Sequence, residues 1–279
     1  MAVEYRLGLY EKATPAELTW RERLDAVRRA GFDYLEMSID KTQMRRSRLD
    51  WTNAQRMELK LAMNETKLPV RSMCLSAHRE FSLGNPDPEI RAQGMEIMKK
   101  ALQLSEDLGI RIIQLAGYDT FYQPSTQQTK ELFSENLHKC VELAAIYGVQ
   151  MGFETMDTPF MDTTAKAMQY VKQMNSPYLG VYPDIGNLTN ASKLYGTSVV
   201  EDLKTGAGYL MAMHMKETVP GRDRGIPFGQ GHVNFEQAAQ CALSLGVRRF
   251  VAECWDDGSG NWKETIADVN RFVRAALEA

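Results

Sequence analysis

The sequence predicts an α/β chain folded as one (β/α)8 barrel, a TIM barrel, over residues 1–279, and three observations predict it. Eight short apolar runs alternate with longer amphipathic stretches almost from end to end, with no linker or low-complexity tract between them. The length of 279 residues suits a fold that typically takes about 250. Four residues able to ligate a metal each sit at or near the end of one of four successive late runs, and barrels place their chemistry at the carboxyl ends of strands. A doubly wound open sheet usually carries a Gly-rich phosphate turn after an early strand, and this chain has none.

The strand candidates, in order, are YRLGLY near 5–10, YLEMSI at 34–39, VRSMCL at 70–75, RIIQLA at 111–116, QMGFE at 150–154, LGVYPD at 179–184, LMAMHM at 210–215 and FVAEC at 250–254. Between the first two, TPAELTWRERLDAVRRA places Leu18, Leu24 and Val27, with Ala26 and Ala30, on one stripe near a 3.6-residue period. Thr14 before Pro15 is the expected cap of that helix, and Gly31 its stop. NAQRMELKLAMNET reads as the next helix. NPDPEIRAQGMEIMKKALQLSEDLG repeats the same punctuation, with Asn85 before Pro86, acids in the first turn and Gly109 at the end.

Composition narrows the function classes. The net charge of −3 and the absence of a long basic run disfavour nucleic-acid binding, which needs clustered Lys and Arg. No window approaches the ~18 continuous apolar residues that span a bilayer, so no membrane partner is expected. MAVEYRLGLYEK lacks a charged leader followed by an apolar stretch, so no signal peptide is expected. Cys74, Cys140, Cys241 and Cys254 lie far apart without a CxxC pair and read as reduced thiols of a cytoplasmic protein. A homodimer is the assembly that apolar outer helix faces would support.

The late runs carry the chemistry. Glu154 ends QMGFE, Asp184 ends LGVYPD, His214 lies in LMAMHMK and Glu253 ends FVAE. Successive intervals of thirty, thirty and thirty-nine residues match about one strand-plus-helix unit each, so one barrel rim would collect all four. Three carboxylates and one imidazole suit a single divalent cation, with Mn, Mg, Zn and Co all open. A carboxylate closing an apolar strand could instead be a salt-bridged structural group, and Asp184, opening DIGN, could be only a helix cap. His214 and Lys216 share one strand face, which argues for a functional interior rather than a core histidine. His138 falls inside a helical stretch and reads as structural.

Substrate contacts are expected from the loops at the same rim: Lys12 after the first strand, His78 and Arg79 after the third, and Lys216 after the seventh. Gly229 and Gly231, in PFGQGH before His232, could offer backbone amides to a phosphate, although such a turn is more often only a turn. Arg222 and Arg224 add charge nearby.

GLYEK, YLEMS, RLDW, SMCLSAHR, IQLAGYD, YPDIGNL, HMKET and PFGQG together resemble the L-ribulose-5-phosphate 3-epimerases of the xylose-isomerase-like superfamily, from Gly8 to Trp255. The resemblance implies a (β/α)8 barrel that interconverts L-xylulose 5-phosphate and L-ribulose 5-phosphate in L-ascorbate and related pentose catabolism. It implies that Glu154, Asp184, His214 and Glu253 hold the metal, and that Glu154 and Glu253 are the acid/base pair. One Glu would take the C3 proton, and the other would return a proton to the opposite face of a cis-enediolate. Relatives acting on free ketohexoses carry a His three residues after the Asp ligand; here Asn187 stands in that place and is a further candidate substrate contact. An aldose–ketose isomerase or free-ketose 3-epimerase could use the same ligands. A DNA-repair endonuclease of the superfamily needs many more than four histidines.

Overall fold

Helix ends follow the sequence punctuation, but two caps fall later than expected. In the computed structural model, which describes residues 4–279, the first helix α1 is Trp20–Arg29, capped by Thr19 and not by Thr14. Thr19 forms a capping box with Glu22, three residues on, which satisfies donors at both positions. Thr14 instead donates to the Glu11 carbonyl and accepts from Arg23 Nε. The same slip occurs before the long helix: Asp87, not Asn85, is its cap, and Pro88 is its first residue. Gly109 ends that helix in the left-handed region, as expected. The first three residues of the stretch read for a leader lie outside the described residues.

Eight parallel strands form one sheet: β1 (Arg6–Tyr10), β2 (Tyr34–Ser38), β3 (Val70–Leu75), β4 (Ile112–Ala116), β5 (Gln150–Glu154), β6 (Leu179–Val181), β7 (Met213–Met215) and β8 (Arg249–Ala252). Each pairs with its sequence neighbour except across β6 and β7, and β1 also pairs with β8. The helices are α1, α2 (Gln43–Arg46), α3 (Asn53–Thr66), α4 (Pro88–Leu108), α5 (Gln127–Tyr147), α6 (Thr164–Met174), α7 (Ile185–Tyr195), α8 (Val199–Thr205), α9 (Phe235–Ser244) and α10 (Trp262–Glu278). This is the expected (β/α)8 barrel.

Two strands are shorter than the apolar runs suggested. Residues 179–184 yield a strand only to Val181, and 210–215 only from Met213. Pro183 has no N–H for a ladder, and the Asp184 N–H turns to Thr155 Oγ1 at 3.0 Å. The barrel closes there through isolated bridges, Val181 with Leu210 and Asp184 with His214. Two of the four candidate ligands therefore sit directly across the closing seam.

Side-chain alternation divides the core in two. Leu7, Leu9, Leu35 and Met37 face the helix layer in the larger apolar cluster. Tyr10, Tyr34, Cys74, Ile112, Tyr182 and Val251 fill the barrel interior. Gly8 makes room for one of them: a Cβ there would lie 2.4 Å from the Tyr34 ring. The buried tyrosines find partners for their hydroxyls, Tyr34 on the Phe250 carbonyl and Tyr182 on Glu36. Above this plug the interior turns polar.

Candidate metal centre and active site

Glu154, Asp184, His214 and Glu253 converge at the carboxyl end of the barrel. One ligand atom from each lies within 4.8 Å of all the others, and all four residues are buried. His214 Nδ1 is 3.4 Å from Glu154 Oε1, 3.2 Å from Glu253 Oε2 and 4.0 Å from Asp184 Oδ2. His214 Nδ1 and Glu253 Oε2 are buried without a hydrogen-bond partner among the described residues, and Asp184 Oδ2 has only the Lys216 ammonium, at 2.8 Å. Unpaired buried polar atoms of this kind are costly, and a shared cation would satisfy all three at once. Three oxygen donors and one nitrogen fit a divalent ion.

Asp184 unites the two roles that its sequence position left open. Its Oδ1 accepts the Asn187 N–H at 2.8 Å and caps α7, while its Oδ2 turns to the cluster. Burial pushes its carboxyl up, to about 7, with Lys216 opposing and the Glu253 and Glu154 charges adding to the rise. Lys216 stands 2.8 Å from Asp184 Oδ2 and 3.6 Å from Glu253 Oε2. Burial disfavours its ammonium, but the surrounding carboxylates overcome this and hold its pKa above the ordinary value. Burial likewise opposes the charge on Glu253, yet Lys216 and His214 hold its carboxyl well below the usual range.

Two residues that sequence reasoning passed over support this centre, and a third, Asp40, holds a candidate substrate contact at the rim. Glu36 on β2 meets His214 Nε2 at 2.6 Å and accepts the Tyr182 hydroxyl at 2.9 Å. Gln114 on β4 donates its amide to Glu154 Oε2. Asp40 pairs with Lys12 at 2.6 Å. The only signal in sequence was alternation: Glu36 and Gln114 share the inward register with Tyr34 and Ile112.

The expected substrate contacts separate into those at the mouth and those tied up elsewhere. Arg79 is largely buried, its guanidinium 5.8 Å from the Tyr118 ring and 5.9 Å from that of Phe121. Among the described residues no carboxylate lies within 4.0 Å of it, and its Nε has no partner. Asn187 donates its amide to the Thr155 carbonyl and leaves Oδ1 unpaired beside a cleft of about 520 Å³ that also reaches Arg222. A second cleft, of about 450 Å³, opens over Lys216, Glu253 and Trp255. His78, by contrast, points back into the protein, its Nε2 3.0 Å from the Gly94 carbonyl of α4, because neighbouring Phe133 and Leu83 enclose it.

The glycine turn also differs from its expected phosphate role. The Gly229 N–H donates to Glu217 Oε2 at 2.9 Å and the Val233 N–H to Glu217 Oε1 at 3.2 Å. The turn wraps an internal carboxylate, and a Cβ on Gly231 would lie 2.2 Å from both Glu217 Oε1 and the Thr218 carbonyl. His232 bonds Thr218 Oγ1 through Nε2 at 3.0 Å, a structural contact. His138 is exposed on α5 beside Glu142.

Comparison with known proteins agrees with this fold. The family model described as a xylose isomerase-like TIM barrel matches residues 24–276. The L-ribulose-5-phosphate 3-epimerase UlaE of Escherichia coli strain SMS-3-5 is 42% identical over 272 residues, covering 97% of this chain and 94% of that protein. Among solved structures, a D-psicose 3-epimerase with D-tagatose from Clostridium cellulolyticum H10 superposes with a TM-score of 0.80 at 18% identity, covering 98% of this chain and all of that one. An L-ribulose 3-epimerase superposes with a TM-score of 0.74 at 19% identity, covering 100% of this chain and 95% of that one. The chain belongs to the L-ribulose-5-phosphate 3-epimerase family of xylose isomerase-like TIM barrels.

Proposed function

We infer that the protein is a carbohydrate epimerase that inverts C3 of a ketopentose 5-phosphate, interconverting L-xylulose 5-phosphate and L-ribulose 5-phosphate. The observation that carries this reading is a pair of buried carboxylates, Glu154 and Glu253, flanking one His214 nitrogen in a chain 42% identical to a relative of that name. Glu154, Asp184, His214 and Glu253 are the proposed ligands of one divalent ion, with Mn, Mg, Zn and Co all suited to the donor set. When bound, the ion supplies Lewis-acid polarisation of the substrate ketone, which acidifies the neighbouring C3–H.

Inversion then requires two proton-transfer groups on opposite faces, because a single base would return the proton to the face it came from. Glu154 and Glu253 take these roles. Gln114 occupies Glu154 Oε2 and leaves Oε1 turned to the cluster. Lys216 fixes Asp184 and, through its charge, keeps Glu253 ionised. For the phosphate, Arg79 is the best-supported anchor. Lys12 is tied to Asp40 and Lys216 to Asp184, whereas Arg79 has no such carboxylate. Asn187 Oδ1 is the proposed acceptor for a substrate hydroxyl.

Four free cysteines support a reducing, cytoplasmic setting, and no helix among the described residues is long and apolar enough to cross a membrane. A role in L-ascorbate or related pentose breakdown belongs to the same reading. The deciding experiment is proton NMR of L-xylulose 5-phosphate with the protein in D2O, with and without EDTA. Metal-dependent deuterium at C3 with formation of L-ribulose 5-phosphate is expected. Exchange at C1 would instead mean an aldose–ketose isomerase, and no exchange at any carbon would overturn the reading.

A further inference from the structure

Glu36 is a costly residue where it stands. It lies midway along β2, fully buried, and its only basic partner within 4.0 Å among the described residues is His214. A carboxylate taken out of water costs several kcal/mol unless its oxygens are satisfied, and an apolar residue would fill the space more cheaply. Both oxygens are satisfied here, and by specific groups. Oε1 meets His214 Nε2 at 2.6 Å, and Oε2 accepts the Tyr182 hydroxyl at 2.9 Å. The Tyr182 ring also packs edge-on against the His214 ring, centroids 4.9 Å apart and planes at 64°. These three side chains come from β2, the residue just after β6, and β7, so the contact ties the closing seam to the opposite part of the barrel.

We propose that Glu36 is a positioning residue for the metal centre: it fixes the His214 ring and its proton so that Nδ1 is the nitrogen offered to the cation. A carboxylate can only accept, so Nε2 must carry a hydrogen, and Nδ1, which faces Glu154, Asp184 and Glu253, is the nitrogen that would give its lone pair to a cation. The negative charge behind the ring also makes the imidazole a stronger donor. Tyr182 holds Glu36 in turn, its hydroxyl fixing the second oxygen and its ring fixing the plane of His214. Glutamine at position 36 would keep the shape but lose this direction, because an amide can donate to the ring as readily as accept from it.

The inference rests on the metal reading, so its test measures binding rather than turnover. Zn2+ affinity is measured by competition against a chromophoric chelator for the wild type, Glu36→Gln, His214→Ala and the double variant, alongside melting of each metal-free protein. Glu36→Gln is expected to weaken Zn2+ about 10–100-fold. The same change on the His214→Ala background should alter affinity less than about twofold, since the effect passes through the ring. Affinity of Glu36→Gln within twofold of wild type would overturn the inference, as would a loss that persists in full without His214. A lowered melting temperature with unchanged affinity would make Glu36 a core ion-pair partner only, and would also overturn it. Should Glu36→Gln fail to fold, Tyr182→Phe keeps the carboxylate and removes one donor. It should weaken Zn2+ several-fold, and unchanged affinity there is equally decisive against. No Zn2+ binding by the wild type would instead sink the metal reading itself.

Discussion

Gln114 and Glu154, on adjacent strands β4 and β5, are joined inside the barrel by a hydrogen bond from the Gln114 amide to Glu154 Oε2. The bond decides which way a proposed catalytic carboxylate faces. With Oε2 held, only Oε1 is turned to His214 and the cluster. A general base must present its oxygen within hydrogen-bond reach of the proton it takes, and a freely rotating carboxylate would do so only part of the time.

Gln114→Leu should therefore lower kcat about 10–100-fold with a smaller change in KM, the range expected for losing a hydrogen bond to a charged group of about 1.5–3 kcal/mol. Steady-state kinetics on L-xylulose 5-phosphate checks this. A kcat within twofold of wild type would mean that Glu154 needs no such tether.

Glu154→Gln and Glu253→Gln each remove one of two opposed bases while keeping side-chain volume. Each should reduce epimerisation by at least about 10²–10⁴-fold, the contribution of a positioned acid or base. The remaining carboxylate should still exchange the C3 hydrogen of one epimer with D2O. NMR of each epimer separately reads this out, and near-normal turnover in either variant would remove the two-base scheme.

The candidate ligand cluster was legible because each of its members interrupts an apolar strand near its end, where period-2 alternation and strand-plus-helix spacing locate it without any tertiary knowledge. Glu36 and Gln114 were not, since each is one polar residue inside a short run, and their partners lie 178 and 40 residues away. The glycine turn misled for a related reason. Its amides looked open because the carboxylate that takes them, Glu217, reads in HMKET as an ordinary polar residue after a strand. The helix start at Thr19 was present in the sequence as T-W-R-E, but the Thr-Pro pair at 14 and 15 gave a competing signal.

The rim at β1 carries a buried ion network centred on Glu11, next in sequence to Lys12. Arg48 makes a two-pronged pair with Glu11, at 2.6 and 2.7 Å, and also donates to the Ser38 carbonyl. Burial opposes the Glu11 charge, but Arg48 and Arg23 outweigh it and hold the carboxyl below its ordinary value. Arg48→Met removes the two-pronged partner of a buried carboxylate, leaving only Arg23 at 3.9 Å and Arg45 at 3.5 Å, and should cost about 3 kcal/mol. Arg271→Met, which breaks an exposed pair with Asp268, should cost under about 1 kcal/mol. Urea denaturation of the two variants compares them directly, and equal losses would mean that the Glu11 network is not a distinct element of stability.

His78 supplies a pH dependence that can be separated from the metal centre. Burial pushes its pKa down, from 6.5 to about 4, with the bond to the Gly94 carbonyl only partly opposing. The folded protein thus holds His78 neutral while the unfolded chain protonates it between those values, so the unfolded state binds more protons and stability falls as pH drops from 6.5 towards 4. A fall from 6.5 to about 4 corresponds to about 3 kcal/mol at ~1.4 kcal/mol per pH unit. His78→Gln should be less stable than wild type at pH 7, because it loses packing, yet lose less on acidification. Urea midpoints at pH 7 and near pH 4 for both proteins test this. Parallel losses would show that acid acts through carboxylates such as Glu11 and not through His78, and would place the imidazole in contact with water rather than sealed behind the rim.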